Sequence, residues 1–350
     1  MNFASDNWAG AAAPVAEALV AAAGDPAPAY GGDRLTAEVT ERFSELFERE
    51  AAVFLVPTGT AANALSVSAM AWPTGLLFCH RDAHINTDEG GAAEFLAGLK
   101  LIGLDGARGK IGPDALAAAI ARYPADDVHH GRPVGVSLTQ LTEYGTAYSI
   151  AELTALSRIA RRAGIAVHMD GARFANAVAS LGASPAELTW KVGVDVLSFG
   201  GTKGGCWMAE AIVVFDPALA ESIATLRKRA GHLVSKHRLI AAQMLAYLEN
   251  GLWLDLARHA NRMAAMLADA VTAAGGRLAW PADGNELFAI LPRTALARAK
   301  EAGATFYEWY PNWAPAERPP AEDEALVRLV TSFATTEADV ERFGELIGKG

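Results

Sequence analysis

The chain reads as an α/β protein: a large domain built on a mostly parallel sheet with helices on both faces, then a smaller C-terminal α+β domain. Two patterns carry that reading. Short apolar strand-like segments alternate with helical spacing from about residue 33 onward. After Asp216 the alternation stops, and three successive helical stretches lead into a further set of strands. A length of 350 residues with 51% apolar composition leaves enough chain for two cores.

The elements follow in order. The Ala-rich stretch 11–23 is most simply helix. Leu35, Val39, Phe43, Leu46 and Phe47 repeat at helical spacing. Ala51 to Val56 is a short apolar strand, Thr60 to Ala71 a helix and Leu76 to His80 a strand. Further strands are expected at Lys100–Leu104, Pro133–Thr139, Ile165–Asp170, Val196–Thr202 and Ala211–Phe215, with helices between most of them. Helices then run over Pro217–Arg229, His237–Asn250 and Leu252–Ala274. Strands follow at Arg277–Trp280, Leu287–Leu291, Thr305–Tyr310 and Ala325–Phe333, and a last helix covers about Thr336–Ile347. The expected division is residues 1–249 for the N-terminal segment and large domain, and 250–350 for the small one.

Composition narrows the function classes. A net charge of −10, with both signs mixed along the chain, disfavours nucleic acid as a partner. No apolar run is long enough to cross a bilayer, and Met1–Asp6 lacks the basic and apolar regions of a secretory signal, so no membrane partner is expected. Cys79 and Cys206 are too few and too isolated for a disulfide framework or a zinc site. The expectation is a cytoplasmic enzyme without a metal.

Two residues carry the most chemical information. Asp170 ends Ile165-Ala166-Val167-His168-Met169-Asp170, and Lys203 ends Val196-Leu197-Ser198-Phe199-Gly200-Gly201-Thr202-Lys203. Each strand delivers one ionisable residue at its C-terminal end, where open α/β sheets bind ligands. An amine and a carboxylate presented this way suit pyridoxal 5'-phosphate (PLP): the lysine can form a Schiff base, and the aspartate can keep the pyridine nitrogen protonated. A surface salt bridge is the plainer alternative. Pro57-Thr58-Gly59-Thr60 joins a strand to a helix and suits a phosphate, although Thr and Gly also make an ordinary cap and turn. His84, just beyond a strand, could stack on a pyridine ring or handle a proton; a polar loop histidine is the plainer reading. Arg328 sits inside an apolar strand, where a substrate carboxylate would satisfy it; the alternative is an edge-strand arginine facing water. The aromatic group Phe306, Tyr307, Trp309, Tyr310 and Trp313 is read as packing.

Together these motifs resemble the threonine aldolases, PLP enzymes of fold type I in the β-eliminating lyase group. The resemblance runs through Ser5-Asp6-Asn7, Tyr30-Gly31-Gly32-Asp33, Pro57–Thr60, Asp82-Ala83-His84 with Glu89-Gly90-Gly91, Asp170-Gly171-Ala172-Arg173, Ser198 to Lys203 and Arg328–Thr331. Phe199–Lys203 and Thr142–Thr146 look most like the bacterial low-specificity branch that also cleaves phenylserine. The resemblance implies that Lys203 anchors PLP, Asp170 pairs with the ring nitrogen, Thr58, Gly59 and Thr60 bind phosphate, and His84 stacks on the ring. It implies that Arg173, Arg328 and Ser5 hold the substrate carboxylate and the cofactor's phenolic oxygen. Tyr30 would reach a neighbouring subunit's site, and Lys236 or Arg238 would add a phosphate contact there, in at least a homodimer and by expectation a homotetramer. Another branch has a second histidine where this chain reads Thr142-Glu143-Tyr144. Its absence leaves the base open: His84 is the best remaining side chain for both stacking and the substrate's hydroxyl proton, and a water held near Thr142 or Glu143 is the alternative. The implied reaction is retro-aldol cleavage of L-threonine, L-allo-threonine and relatives such as phenylserine to glycine and an aldehyde. β-Elimination or transamination on the same scaffold is the alternative.

Overall fold

A computed structural model describes residues 1–24 and 26–348. Among these, seven strands form one sheet: β1 (Ala52–Val56), β2 (Gly75–His80), β3 (Lys100–Leu104), β4 (Arg132–Thr139), β5 (Ala166–Gly171), β6 (Val196–Gly200) and β7 (Glu210–Val214), in the order β1-β7-β6-β5-β4-β2-β3. The run from β3 to β6 is parallel; β7 alone runs against its neighbours β1 and β6. Central strands such as β6, VLSFG, are buried along their whole length, which is why they read as apolar runs rather than alternating ones. The helix Gly59–Ala69 is buried all round from Ala61 to Ser68, and its sequence is correspondingly small and apolar. The α/β class expected from the sequence is the one observed.

The second sheet joins β8 (Arg277–Leu278), β9 (Glu286–Pro292), β10 (Tyr307–Glu308) and β11 (Glu324–Val330) in the antiparallel order β10-β11-β9-β8. The helix Leu252–Ala273 links the two halves. Trp253 and Ala257 near its start pack into the large core, while Met263, Ala264, Leu267 and Val271 pack into the small one. The N-terminus returns to the small sheet. Phe3 is fully buried against Phe343, its N–H donates to the Thr305 carbonyl at 2.8 Å, and its carbonyl accepts from Val330 at 2.9 Å.

Several boundaries differ from the expected ones, each for a physical reason. The strand of Val196–Thr202 stops at Gly200, and Lys203 sits in the turn that follows. A Cβ at Gly200 would lie 2.5 Å from the Ala172 carbonyl, so the two glycines let the chain turn beneath the loop after β5. The small-domain strand begins at Glu286, one residue before its apolar run, because a charged residue there is paired inside the protein. The segment Thr305–Tyr310 forms only two ladder residues, and β11 ends at Val330. The helix Arg293–Glu301 was not expected; only Ala295, Leu296 and Ala299 are buried on it, too short a stripe to stand out in the sequence.

Because Phe3 is fully buried in the small core, Phe3→Ala should destabilise the fold by about 3–5 kcal/mol, the usual range for a large aromatic cavity. Chemical denaturation checks this; an unchanged midpoint would mean that the N-terminal segment adds nothing to the small core.

Candidate active site

The C-terminal ends of the parallel strands converge on a cavity of about 280 Å³. Topology explains the convergence. Strand β7 runs backwards, so Glu210 at its start lies opposite Val56 at the end of β1 and Gly200 at the end of β6. The two loops that leave those strands, Pro57–Thr60 and Gly201–Lys203, therefore face each other across one opening.

Thr58 caps the helix Gly59–Ala69: its hydroxyl accepts the Ala61 N–H at 3.1 Å. The amides of Gly59 and Thr60 have no acceptor among the described residues, and a Cβ at Gly59 would meet nothing within 4 Å. An anion can therefore approach this helix end closely. Across the cavity, Lys203 has no hydrogen bond or ion pair among the described residues. Burial, then the Arg173 guanidinium, push its amine below the ordinary lysine range, against the pull of Asp6, Asp170 and Glu286. A lysine held toward its neutral form is a nucleophile at moderate pH.

Asp170 is buried, with Oδ1 accepting the Ala172 N–H at 3.0 Å and Oδ2 accepting the Asn63 amide at 2.9 Å. The same Asn63 nitrogen donates to Glu89 Oε1 at 2.7 Å, and His84 Nδ1 meets that oxygen at 2.9 Å. One amide thus couples Asp170 to the carboxylate that orients His84. The hydrogen bond to Glu89 raises the His84 pKa, with burial opposing it. The imidazole remains 46% exposed, so it faces the cavity rather than the core. Glu143 Oε1 accepts the His84 amide N–H at 2.7 Å. Glu210 accepts from the amides of Gly201 at 3.1 Å and Thr202 at 3.4 Å, and burial pushes it up to about 7.

The arginines sit in a network of buried carboxylates. All three Arg173 nitrogens are engaged: Nε at 2.8 Å and Nη2 at 3.1 Å on Asp6, and Nη1 at 3.2 Å on Glu286. Arg328 Nε meets the other Glu286 oxygen at 2.9 Å, and its guanidinium lies 4.7 Å from the Trp309 ring. Its two Nη nitrogens have no acceptor among the described residues. Arg328 is one carboxylate removed from the cavity wall, on an inner strand rather than an edge. Ser5 caps the short turn Asp6–Trp8, accepting from Asn7 at 3.1 Å. Tyr30 lies outside the cavity, 51% exposed, beneath the Lys228 ammonium at 4.7 Å. Arg238 Nε donates to the Ala22 carbonyl at 3.0 Å.

The structure therefore brings Lys203, Asp170, His84, Thr58, Gly59, Thr60 and Arg173 to one cavity and leaves Ser5, Tyr30 and Arg328 outside its wall. Sequence reasoning passed over Asn63, Glu210 and Glu286. Only Glu286 had a visible signal: a carboxylate flanking an apolar run that must be buried. The free amine, the open helix end and the buried carboxylate on the far side match the three fixed points of PLP: aldehyde, phosphate and ring nitrogen.

The match extends to known proteins. The beta-eliminating lyase family model covers residues 2–293, and the chain belongs to that family. It is 42% identical over 348 residues to the low specificity L-threonine aldolase of Pseudomonas aeruginosa, covering 99% of this chain and 95% of that one. It is 40% identical over 308 residues to the enzyme of the same description from Pseudomonas sp. strain NCIMB 10558, covering 87% and 88%. Among solved structures, a Leishmania major threonine aldolase superposes with a TM-score of 0.90 at 29% identity, covering 99% of this chain and 98% of that one.

The Asp6–Arg173 pair carries a pH consequence. Burial raises the Asp6 pKa, but Arg173, Lys203 and the Asn285 amide outweigh it and bring the carboxyl from its ordinary 3.8 to about 2. A depressed folded-state pKa contributes stability above the unfolded value and loses it as pH falls through the folded one. The contribution, about 2 kcal/mol, should be complete above pH 4 and vanish toward pH 2. Comparing the pH dependence of unfolding in the unmutated protein and Asp6→Asn tests this; parallel curves between pH 4 and 2 would remove the assignment.

Proposed function

We propose that the protein cleaves L-threonine, L-allo-threonine and related β-hydroxy-α-amino acids, phenylserine among them, to glycine and an aldehyde with PLP as cofactor. The observation that carries this reading is the unpartnered Lys203 amine facing an open helix end, with Asp170 buried behind both. When bound, PLP supplies an electron sink conjugated to the substrate nitrogen.

The chain's own residues do the rest. Lys203 would hold the cofactor through its amine, whose pKa burial and then Arg173 lower. Asp170, fixed by Asn63 and the Ala172 amide, holds the proton on the ring nitrogen. Thr58, Gly59 and Thr60 hold the phosphate with amide and hydroxyl donors at the helix N-terminus. His84, oriented by Glu89, covers one face of the ring. Arg328 presents two free Nη donors while Glu286 pins its Nε, the arrangement needed to grip a substrate carboxylate in a fixed orientation. Fixing that carboxylate restricts the orientation of the bonds at Cα and so selects which one breaks. Arg173, with every nitrogen engaged, secures Asp6 and Glu286 and depresses the Lys203 pKa.

We also infer a cytoplasmic homotetramer. The exposed Tyr30–Lys228 stack supports a subunit boundary there, and two free buried cysteines fit a reducing compartment.

Incubating the purified protein with PLP and each of the three amino acids should release an aldehyde and glycine in equal amounts. Ammonia with a keto acid would instead establish β-elimination, and transfer of the amino group would establish transamination. Arg328→Ala should weaken glycine binding by about 2–4 kcal/mol, the value of a lost charge-assisted pair, while PLP binding stays near normal. Spectral titration reads both; an unchanged glycine affinity would make Arg328 a structural residue.

A further inference from the structure

Four carboxyl groups line the cavity: Glu89, Glu143, Asp170 and Glu210. Asp170 and Glu210 each accept two N–H donors. Glu89 concentrates its contacts on Oε1, where it meets Asn63 and serves as counter-ion to His84; its Oε2 has no donor. Glu143 is the odd one. One oxygen accepts the His84 amide, the other is shut off from solvent without a donor, and no cation lies within ion-pair distance among the described residues. A carboxyl oxygen buried without a donor is a standing deficit that a well-packed interior avoids. Glu143 lines the cavity, and among the four it is the carboxyl that has an oxygen without a donor and no cation beside it.

We infer that Glu143 is the group that takes the proton from the β-hydroxyl of the bound amino acid. The inference rests on the retro-aldol reading above and assigns that reaction its base. His84, to which the sequence leaves this proton, has its Nδ1 tied to Glu89, a bond that raises its pKa and leaves Nε2 as the competing acceptor. Burial, by contrast, pushes the Glu143 carboxyl up to about 7. The groups facing it are His84, Asp170, Arg173, Tyr144, Tyr148 and Cys79. Such a carboxyl can take a proton and return it at neutral pH.

The step balances without a further reactant. The hydroxyl O–H bond breaks, its proton goes to Glu143, and its electron pair becomes the second bond of the aldehyde carbonyl. The Cα–Cβ bond breaks and its pair stays with Cα. A proton delivered to Cα completes glycine, so the net change moves one proton from the hydroxyl to Cα.

The test compares Glu143→Gln with the unmutated holoenzyme in two assays. Glycine has no β-hydroxyl, so its dissociation constant, read from the cofactor's visible spectrum, should change less than about threefold. Cleavage of L-threonine should slow by at least about 100-fold, lose its fall in rate below neutral pH, and recover partly when formate is added to Glu143→Ala. A cleavage rate within threefold of normal would overturn the inference. So would equal losses of glycine affinity and rate, which would mean that Glu143 acts only by supporting the His84 loop. Failure of the unmutated holoenzyme to release aldehyde would instead overturn the retro-aldol reading, and the inference with it.

Discussion

The chain of charges Asp6–Arg173–Glu286–Arg328 is the contact on which the rest of the site depends. Its members come from the N-terminal segment, the loop after β5, β9 and β11, so one network fixes the first residues and both sheets relative to the cavity. Asp6 and Glu286 are each about 2% exposed and Arg173 is 10% exposed. Charges so deeply buried are tolerated only when paired, and removing one partner leaves the others uncompensated. The same network has two chemical effects. Arg173 bears on Lys203 and favours its neutral form, and Glu286 leaves Arg328 with two free donors on one side.

The cavity itself is a problem in desolvation. Glu89, Glu143, Asp170 and Glu210 stand against Lys203, His84 and Arg173 within one water-poor space. Not all four carboxyls can be ionised cheaply there. The four groups meet that cost differently. Asp170 has two donors, Glu89 has the imidazole, and Glu143 and Glu210 are both pushed up to about 7. An amine whose pKa is lowered, beside carboxyls pushed up to about 7, is an electrostatic setting that favours covalent amine chemistry.

Much of this was legible in the sequence where local patterns carry it. Apolar runs bounded by glycine revealed the strand bearing Asp170 and the strand that leads to Lys203, though not the turn on which Lys203 sits, and Thr-Gly-Thr after a strand revealed the helix end. What stayed hidden depends on distance along the chain. Asn63 meets Asp170 across 107 residues, and Asn285 meets Asp6 across 279. Glu210 reads as an ordinary residue at a strand start until β7 is seen to run antiparallel. The open question at Arg328 turned on a partner, Glu286, that sits just outside the apolar run by which its strand is recognised. Periodicity reports which face is buried; it does not report which buried charge meets which.

The central claim is that the Lys203 amine is the cofactor's anchor. It is tested most directly by loading the protein with PLP, reducing with borohydride, digesting, and locating the fixed label by mass spectrometry. The account predicts one labelled peptide, carrying the modification on Lys203. A label on Lys191, Lys228 or Lys236 instead, or no fixed label at all, would contradict it.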